Sequence, residues 1–278
     1  MTLAETFQKV QENQGALGAF NVSTLAQVRA IAAAAQTLEA PVILEMSPGE
    51  ADFLGIETLA AAVGALRRGS TAPLFLNLDH ARDLVNVEKA LAVGFDMVHF
   101  DGSDLPLEEN IARTKEVVAL ARGRGALVEG EIDQAGGHST LRPGVGERVL
   151  TDPEVAARFV AETGVDVLAV FCGNLHGVYA QPLALDLDHL AQVKEAAGCY
   201  LSLHGGSGVK EDDLRGAVRA GVVKVNVNTE LRLAWSQSLR KVLTDDPEEI
   251  VPYKILAPVV EELRKVVGGK VTLLNTRY

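Results

Sequence analysis

The sequence predicts an α/β fold, a closed (β/α)8 barrel with one helix added at its carboxyl-terminal end. Strand-like and helix-like segments alternate along nearly the whole chain, as eight strand–helix pairs in about 240 residues. The polar residues Asn21, Ser47, Asp79, His80, Asp101, Glu131, His176, His204 and Asn226 collect where strands stop, the catalytic rim of such barrels. The first strand leads into Asn21-Val22-Ser23-Thr24, without the glycine-rich turn that commonly opens a doubly wound sheet. An open doubly wound sheet is the structural alternative. With 278 residues, 47% of them hydrophobic, and no linker or low-complexity stretch, residues 1–278 read as a single domain.

Each element has a local reason. Gly18 to Val22, Pro41 to Met46, Pro73 to Leu78, Asp96 to Asp101, Ala126 to Ile132, Val167 to Phe171, Tyr200 to Leu203 and Val222 to Asn226 are short apolar runs bounded by turn residues, the pattern of buried parallel strands. Thr24 to Leu38 is an alanine-rich helix, followed by helices over Ile56 to Arg68, Leu84 to Ala92 and Leu107 to Arg124. A long loop covers Asp133 to Leu150. Thr151 with Glu154 three residues on resembles a capping box opening the fifth helix. Helices over Leu187 to Ala197, Glu211 to Ala220 and Thr229 to Leu243 follow, and Pro252 to Val267 forms the added one.

The net charge of −11 and the isoelectric point near 5.1 argue against nucleic acid or an anionic membrane as a general partner, so any phosphate needs a local site. Two cysteines, Cys172 and Cys199, suggest no disulfide framework and a reducing cytoplasm. Met1-Thr2-Leu3-Ala4-Glu5 lacks the basic start and apolar core of a signal peptide, and no run reaches the roughly 20 apolar residues of a membrane span.

In Asn77-Leu78-Asp79-His80 an acid and an imidazole sit side by side at the end of a strand. Adjacent strand residues point to opposite faces, so both reach one pocket only if the backbone turns there. His176 follows the sixth strand and His204 the seventh. Three histidines after three strands suit an open three-ligand metal site. A lone strand-end histidine is more often a cap or rim residue; all three on one rim are not. His99, inside the fourth strand, reads as a packed core residue, and His189 lies on a helix. Glu129 and Glu131 share one face of the fifth strand; Glu131 reads as a metal-side carboxylate or a partner orienting a histidine, and the plainer reading is an ion pair inside the barrel, for instance with Lys224. Gly205-Gly206-Ser207-Gly208 after the seventh strand, and Asn226-Val227-Asn228-Thr229 entering a helix after the eighth, offer backbone N–H groups to an anion.

Leu78-Asp79-His80, Val128-Glu129-Gly130-Glu131, Gly173-Asn174-Leu175-His176-Gly177, Leu203-His204-Gly205-Gly206-Ser207-Gly208 and Lys224-Val225-Asn226-Val227-Asn228-Thr229 together resemble the class II, metal-dependent ketose-bisphosphate aldolases. The likeness runs in order over nearly the whole chain. The tagatose-type branch looks nearest, because Asn228-Thr229-Glu230 stands where the fructose branch commonly has Asp-Thr-Asp. The resemblance implies a cytoplasmic enzyme of carbohydrate metabolism, a homodimer or homotetramer, reversibly cleaving a ketose 1,6-bisphosphate to dihydroxyacetone phosphate and an aldehyde. It implies zinc on His80, His176 and His204, Asp79 as the acid–base group, and Asp101 and Glu131 as carboxylates for a second or displaced metal ion. Asn21, Ser47, Gly177, Gly205, Gly206, Ser207, Asn226, Val227, Asn228 and Thr229 would bind substrate, with a monovalent cation near the phosphate.

The loop after the fifth strand departs from the family. An acidic residue commonly follows its Gly-Gly, as base on the dihydroxyacetone phosphate carbon; here the loop reads Gly136-Gly137-His138-Ser139-Thr140-Leu141-Arg142. His138 is a candidate stand-in for that base, and Arg142 a candidate clamp on a second phosphate. Two other readings stand beside the zinc aldolase: a metal- and sugar-phosphate-binding relative with lost or altered aldol chemistry, and a Schiff-base aldolase using Lys224.

Overall fold

The computed structural model describes residues 1–133, 150–175, 177, and 184–274, together with the backbone of 141–142 and 178–179. Eight parallel strands, Leu17–Asn21, Val42–Met46, Leu74–Ala81, Met97–Asp101, Leu127–Glu131, Val167–Val170, Tyr200–Leu203 and Val222–Val227, close into a barrel in chain order, the last pairing with the first. The doubly wound alternative is thereby excluded. A separate short parallel pair joins Leu141–Arg142 to Val178–Tyr179, linking the loops after the fifth and sixth barrel strands.

Period-two alternation sorts the strand side chains. Outward residues such as Phe20, Leu44, Leu76, Phe100, Val128 and Leu168 form the main core beneath the surrounding helices. Inward residues begin apolar. Leu17, Ala19, Ile43, Phe75, Met97, Val167 and Val223 fill the amino-terminal half of the barrel. Further along the strands they become polar or charged: Glu45, Asn77, His99, Glu129, Ser202 and Lys224, all fully buried.

Besides the short strand pair, two α-helices escape the sequence reading. Leu3–Glu12 is a helix whose Leu3, Phe7 and Val10 close the apolar end of the barrel. Its signal was local: Thr2 and Glu5 form a reciprocal capping box. Pro48–Leu54 is a short helix after the second strand, opened by Ser47 and Pro48. It carries Glu50 to the rim.

Two boundaries also differ. The fifth outer helix, Pro153–Thr163, is capped by Asp152, whose carboxylate accepts the Glu154 and Val155 N–H groups at 2.8 and 3.0 Å. The Thr151 hydroxyl is occupied elsewhere, donating to Asp133 and accepting from the Phe171 N–H, so the expected capping box does not form. The added helix runs over Pro252–Leu273, beyond Val267 and through Gly268-Gly269. Burial of Val271 and Leu274 overrides the low helix propensity of the two glycines, and the Leu274 carbonyl accepts the Ala16 N–H. No described helix is long and apolar enough to cross a membrane.

Phe7 is fully buried in the plug. Phe7→Ala should cost about 3–5 kcal/mol in guanidinium unfolding. Lys224→Met should cost about as much, roughly 3–5 kcal/mol, because it leaves buried carboxylates without their cation; an unchanged midpoint in either variant contradicts its place in the fold.

Candidate active site

The third strand brings acid and imidazole together by a break in its ladder. Its register with the fourth strand shifts between Leu78 and Ala81, and His80 takes φ +51°. A left-handed non-glycine residue costs about 1–2 kcal/mol. The His80 N–H offsets this by donating to His99 Nδ1 at 3.1 Å. The bulge turns both Asp79 and His80 into the barrel mouth, the turn that the sequence required.

Asp79 is held by two side-chain amides. Asn21 Nδ2 donates to Oδ2 and Asn226 Nδ2 to Oδ1, each at 3.1 Å. Burial raises its pKa, but His80, His99 and Lys224 outweigh that and hold the carboxyl well below the usual range. Asn226 Oδ1 is buried and, among the described residues, has no hydrogen-bond partner.

Glu129 supports His204. Lys224 Nζ lies 2.8 Å from Glu129 Oε2 and 3.3 Å from Glu45 Oε2. Burial opposes the charge on Glu129; the Lys224 ammonium prevails and keeps its pKa low. Its other oxygen accepts from Ser202 and lies 2.7 Å from His204 Nε2. Burial lowers the His204 pKa, so the ring is neutral with its proton on Nε2, facing the carboxylate. Lys224 is no Schiff-base nucleophile: burial would lower its pKa, but Glu129 and Glu45 hold it above the ordinary lysine value.

Two imidazoles then meet. His80 Nδ1 lies 3.0 Å from Asp101 Oδ2 and 3.6 Å from Glu131 Oε2, so its proton belongs on Nδ1. His80 Nε2 and His204 Nδ1 face each other at 3.1 Å. With both rings neutral, two lone pairs converge, an arrangement that calls for a proton or a metal ion. Burial lowers the His80 pKa, yet Asp79 and Glu131 hold it at about 8, so positive charge is favoured at this point. Asp79, Asp101, Glu129 and Glu131 are all buried here, against the single buried ammonium of Lys224. The nitrogen donors, their carboxylate partners and this excess of negative charge fit a divalent cation. Ligand atoms of Asp79, His80, His99 and His204 lie within 4.8 Å of one another, as do those of His80, Asp101 and Glu131.

Of the expected zinc ligands, His80 and His204 are therefore brought together, and His176 lies outside the described residues. Asn174 ties the strand-six loop to strand seven, donating to the Val170 and His204 carbonyls at 3.1 and 3.0 Å. His99 corrects the sequence reading. It is no mere packing residue: its ring centroid is 4.6 Å from that of His80 and 5.0 Å from that of His204, and its Nε2 lies 3.1 Å from Glu131 Oε2. The available signal was period two, since His99 and Asp101 share the inward face of one strand. His189 bonds the Thr151 carbonyl at 2.8 Å, away from the site.

The glycine turn is tight and closely packed. Gly205 has φ +70°, and Gly206–Gly208 form a 3-10 turn. A Cβ on Gly206 would stand 2.5 Å from Val225 Cγ1, so the chain packs there without a side chain. The Ser207 hydroxyl accepts the Glu230 N–H at 3.3 Å, fastening the turn to the helix Thr229–Asp245. Gly177 is buried with φ +115°. The Val227 side chain faces the outer core, leaving only its backbone for a ligand. Ser47, Asn21 and Asn228 converge on Glu50, which the sequence reading passed over. Arg82, also missed, donates to Asp101 Oδ2 at 3.1 Å, and the Ser103 hydroxyl donates to Asp101 Oδ1 at 2.6 Å. His138 lies outside the described residues, as does the Arg142 side chain.

Comparison with known proteins agrees with this geometry. The family model described as Fructose-bisphosphate aldolase class-II matches residues 1–277. The chain is 35% identical over 273 residues to the 6-phospho-5-dehydro-2-deoxy-D-gluconate aldolase of Shouchella clausii, covering 97% of this chain and 92% of that protein. It is 34% identical over 281 residues to a fructose-bisphosphate aldolase of Staphylococcus aureus, covering 99% and 97%. Among solved structures, the YdjI aldolase of Escherichia coli K12 superposes with a TM-score of 0.85 at 28% identity, over 98% of this chain and 96% of that one. A putative fructose-1,6-bisphosphate aldolase of Coccidioides immitis gives 0.84 at 28% identity, over 99% and 96%. With its barrel, its histidine–carboxylate centre and these relatives in agreement, the chain belongs to the class II fructose-bisphosphate aldolase family, the metal-dependent aldolase lyases.

Proposed function

We propose that this chain is a zinc-dependent aldolase that reversibly splits a phosphorylated ketose into dihydroxyacetone phosphate and an aldehyde. The observation that carries the reading is the facing pair His80 Nε2 and His204 Nδ1, each ring backed by a carboxylate, beside Asp79. His80 and His204, with His176 from the resemblance, would hold the ion; Asp101 and Glu131 would serve a second or displaced one. When bound, zinc supplies Lewis-acid stabilisation of the charge that develops on the ketone oxygen.

The protein's own groups do the rest. Asp79, ionised and fixed by Asn21 and Asn226, takes the proton of the C4 hydroxyl. The C3–C4 bond breaks, the aldehyde leaves, and the bonding pair stays on the dihydroxyacetone phosphate fragment. In condensation Asp79 returns the proton. The Gly205-Gly206-Ser207 turn, Gly177 and the stretch from Asn226 to Thr229 grip the phosphate and hold the reacting carbons in place. A monovalent cation beside that phosphate, a homodimer or homotetramer, and a cytoplasmic setting complete the reading. The resemblance narrows the substrate to a 1,6-bisphosphate of the fructose or tagatose type; the residues named so far provide for its first phosphate.

A second reading keeps metal and sugar-phosphate binding but alters the carbon–carbon chemistry. It is favoured by one observation, the loop after strand five, which lacks the family's carboxylate and carries His138 and Arg142 instead.

Purified protein should hold one zinc or similar divalent ion per chain by metal analysis, and chelation should abolish turnover. His80→Ala, His176→Ala and His204→Ala should each lose the ion, because two imidazoles rarely hold a catalytic zinc; full occupancy in the His204→Ala protein would falsify the ligand set. Asp79→Asn should retain metal and slow retro-aldol turnover by about 10²–10⁴. Wild-type rates in that variant would remove Asp79 from the proton transfer, and turnover absent from the wild type would favour the second reading.

A further inference from the structure

A cavity of about 490 Å³ opens around Glu50 at the mouth of the barrel. It spans the ends of strands one and two and the first turns of the helix Thr229–Asp245. Thr24, Ser47, Glu50, Phe53, Arg232 and Trp235 are among its walls. One amide joins it to the reacting centre: Asn21 Nδ2 lies 3.1 Å from Asp79 Oδ2 and 3.0 Å from Glu50 Oε2. Asn21 thus stands between Asp79 and Glu50, a wall of this cavity.

The charge of the cavity is already balanced. Glu50 is buried and accepts Arg232 Nη2 at 2.8 Å, the Ser47 N–H at 2.8 Å and the Ser47 hydroxyl at 2.9 Å. Asn228 Nδ2 donates at 3.5 Å to the same oxygen as Arg232. Among the described residues the cationic donor here is thus spent on a carboxylate that belongs to the protein, and the Trp235 indole N–H is the buried donor left without a partner. A phosphate entering the cavity would meet Glu50 as a like charge, and drawing Arg232 away would strand Glu50 buried without its cation. Neutral hydroxyl groups meet no such penalty, since the Ser47 and Thr24 hydroxyl oxygens can accept hydrogen bonds from them.

We infer that this cavity takes the aldehyde half of the substrate, and that Glu50 selects an aldehyde bearing neutral hydroxyl groups over one bearing a second phosphate. In place of the 1,6-bisphosphate that the resemblance implies, the natural ketose is then a monophosphate, its single phosphate held at the strand-seven and strand-eight turns. This deepens the aldolase reading and rests on it. Glu50 also fills the third position of the helix Pro48–Leu54, where it completes a capping box, so its charge must be separated from its capping role. Glutamine caps in the same way and carries no charge.

The test runs the reaction in the direction of condensation, with the zinc-loaded full chain, dihydroxyacetone phosphate, and either glyceraldehyde or glyceraldehyde 3-phosphate. The wild type should favour glyceraldehyde by about tenfold or more in kcat/KM. Glu50→Gln should lower KM for the phosphorylated aldehyde and narrow or reverse the ratio, at a melting temperature that reports an intact fold. A wild-type preference for glyceraldehyde 3-phosphate, which needs no variant to measure, overturns the inference. So does an unchanged ratio in a folded Glu50→Gln protein. Exchange of the dihydroxyacetone phosphate proton with deuterated water separates the two levels. No exchange and no condensation with either aldehyde sinks the aldolase reading and this inference together, whereas exchange with a preference for the phosphorylated aldehyde sinks this inference alone.

Discussion

Lys224 carries an ammonium group into the closed centre of the barrel, between Glu129 and Glu45. A buried charge is tolerable only when paired and hydrogen-bonded, and these carboxylates meet that need while lying on opposite sides of the barrel. The consequence propagates upward. With Lys224 against one oxygen, Glu129 stays ionised and turns the other to His204 Nε2, fixing that ring's tautomer and the direction of Nδ1. Glu45, the more weakly held partner, has its pKa raised to about 8 by burial and by Asp79, and Lys224 and Asn77 act against that shift. The histidine–carboxylate face therefore stands on an electrostatic platform one tier deeper in the barrel.

A second support is the bulge in strand three. A regular strand would send Asp79 and His80 to opposite faces. The left-handed backbone at His80 sends both inward, and His99 holds the deviation in place through the His80 N–H. Backbone strain here is coupled to the site: the ring that relieves it is also one of the grouped nitrogen donors. Asp101 is saturated in a similar way, with His80 and Arg82 on one oxygen and Ser103 on the other. The rim is therefore preorganised, its acids and imidazoles oriented by hydrogen-bond partners already in place.

The two ends of the reaction cleft differ in what they offer. The strand-seven and strand-eight turns present backbone N–H groups and a hydroxyl, a neutral cradle that suits an anion. The cavity over strands one and two presents a guanidinium already neutralised by Glu50. Relatives that share the barrel include aldolases named for different substrates, consistent with chemistry fixed at the centre and specificity varied at the rim loops.

Periodicity alone determined most of the barrel, because buried parallel strands are short apolar runs and their order follows the chain. It also placed Asp79, His80, Asp101, Glu131 and His204 on one rim, since position along a strand fixes height in the barrel. Where local signals competed, the sequence was ambiguous: Thr151 and Asp152 are both competent caps, and the contact of Thr151 with Asp133 decided between them. The tertiary structure alone decided which inward residues meet across the barrel. His99 and Glu50 lack a distinctive local pattern. Their roles arise from neighbours 19 to 182 residues away, His80 for one and Asn21, Asn228 and Arg232 for the other. Strand closure sets those distances, and no window of sequence contains them.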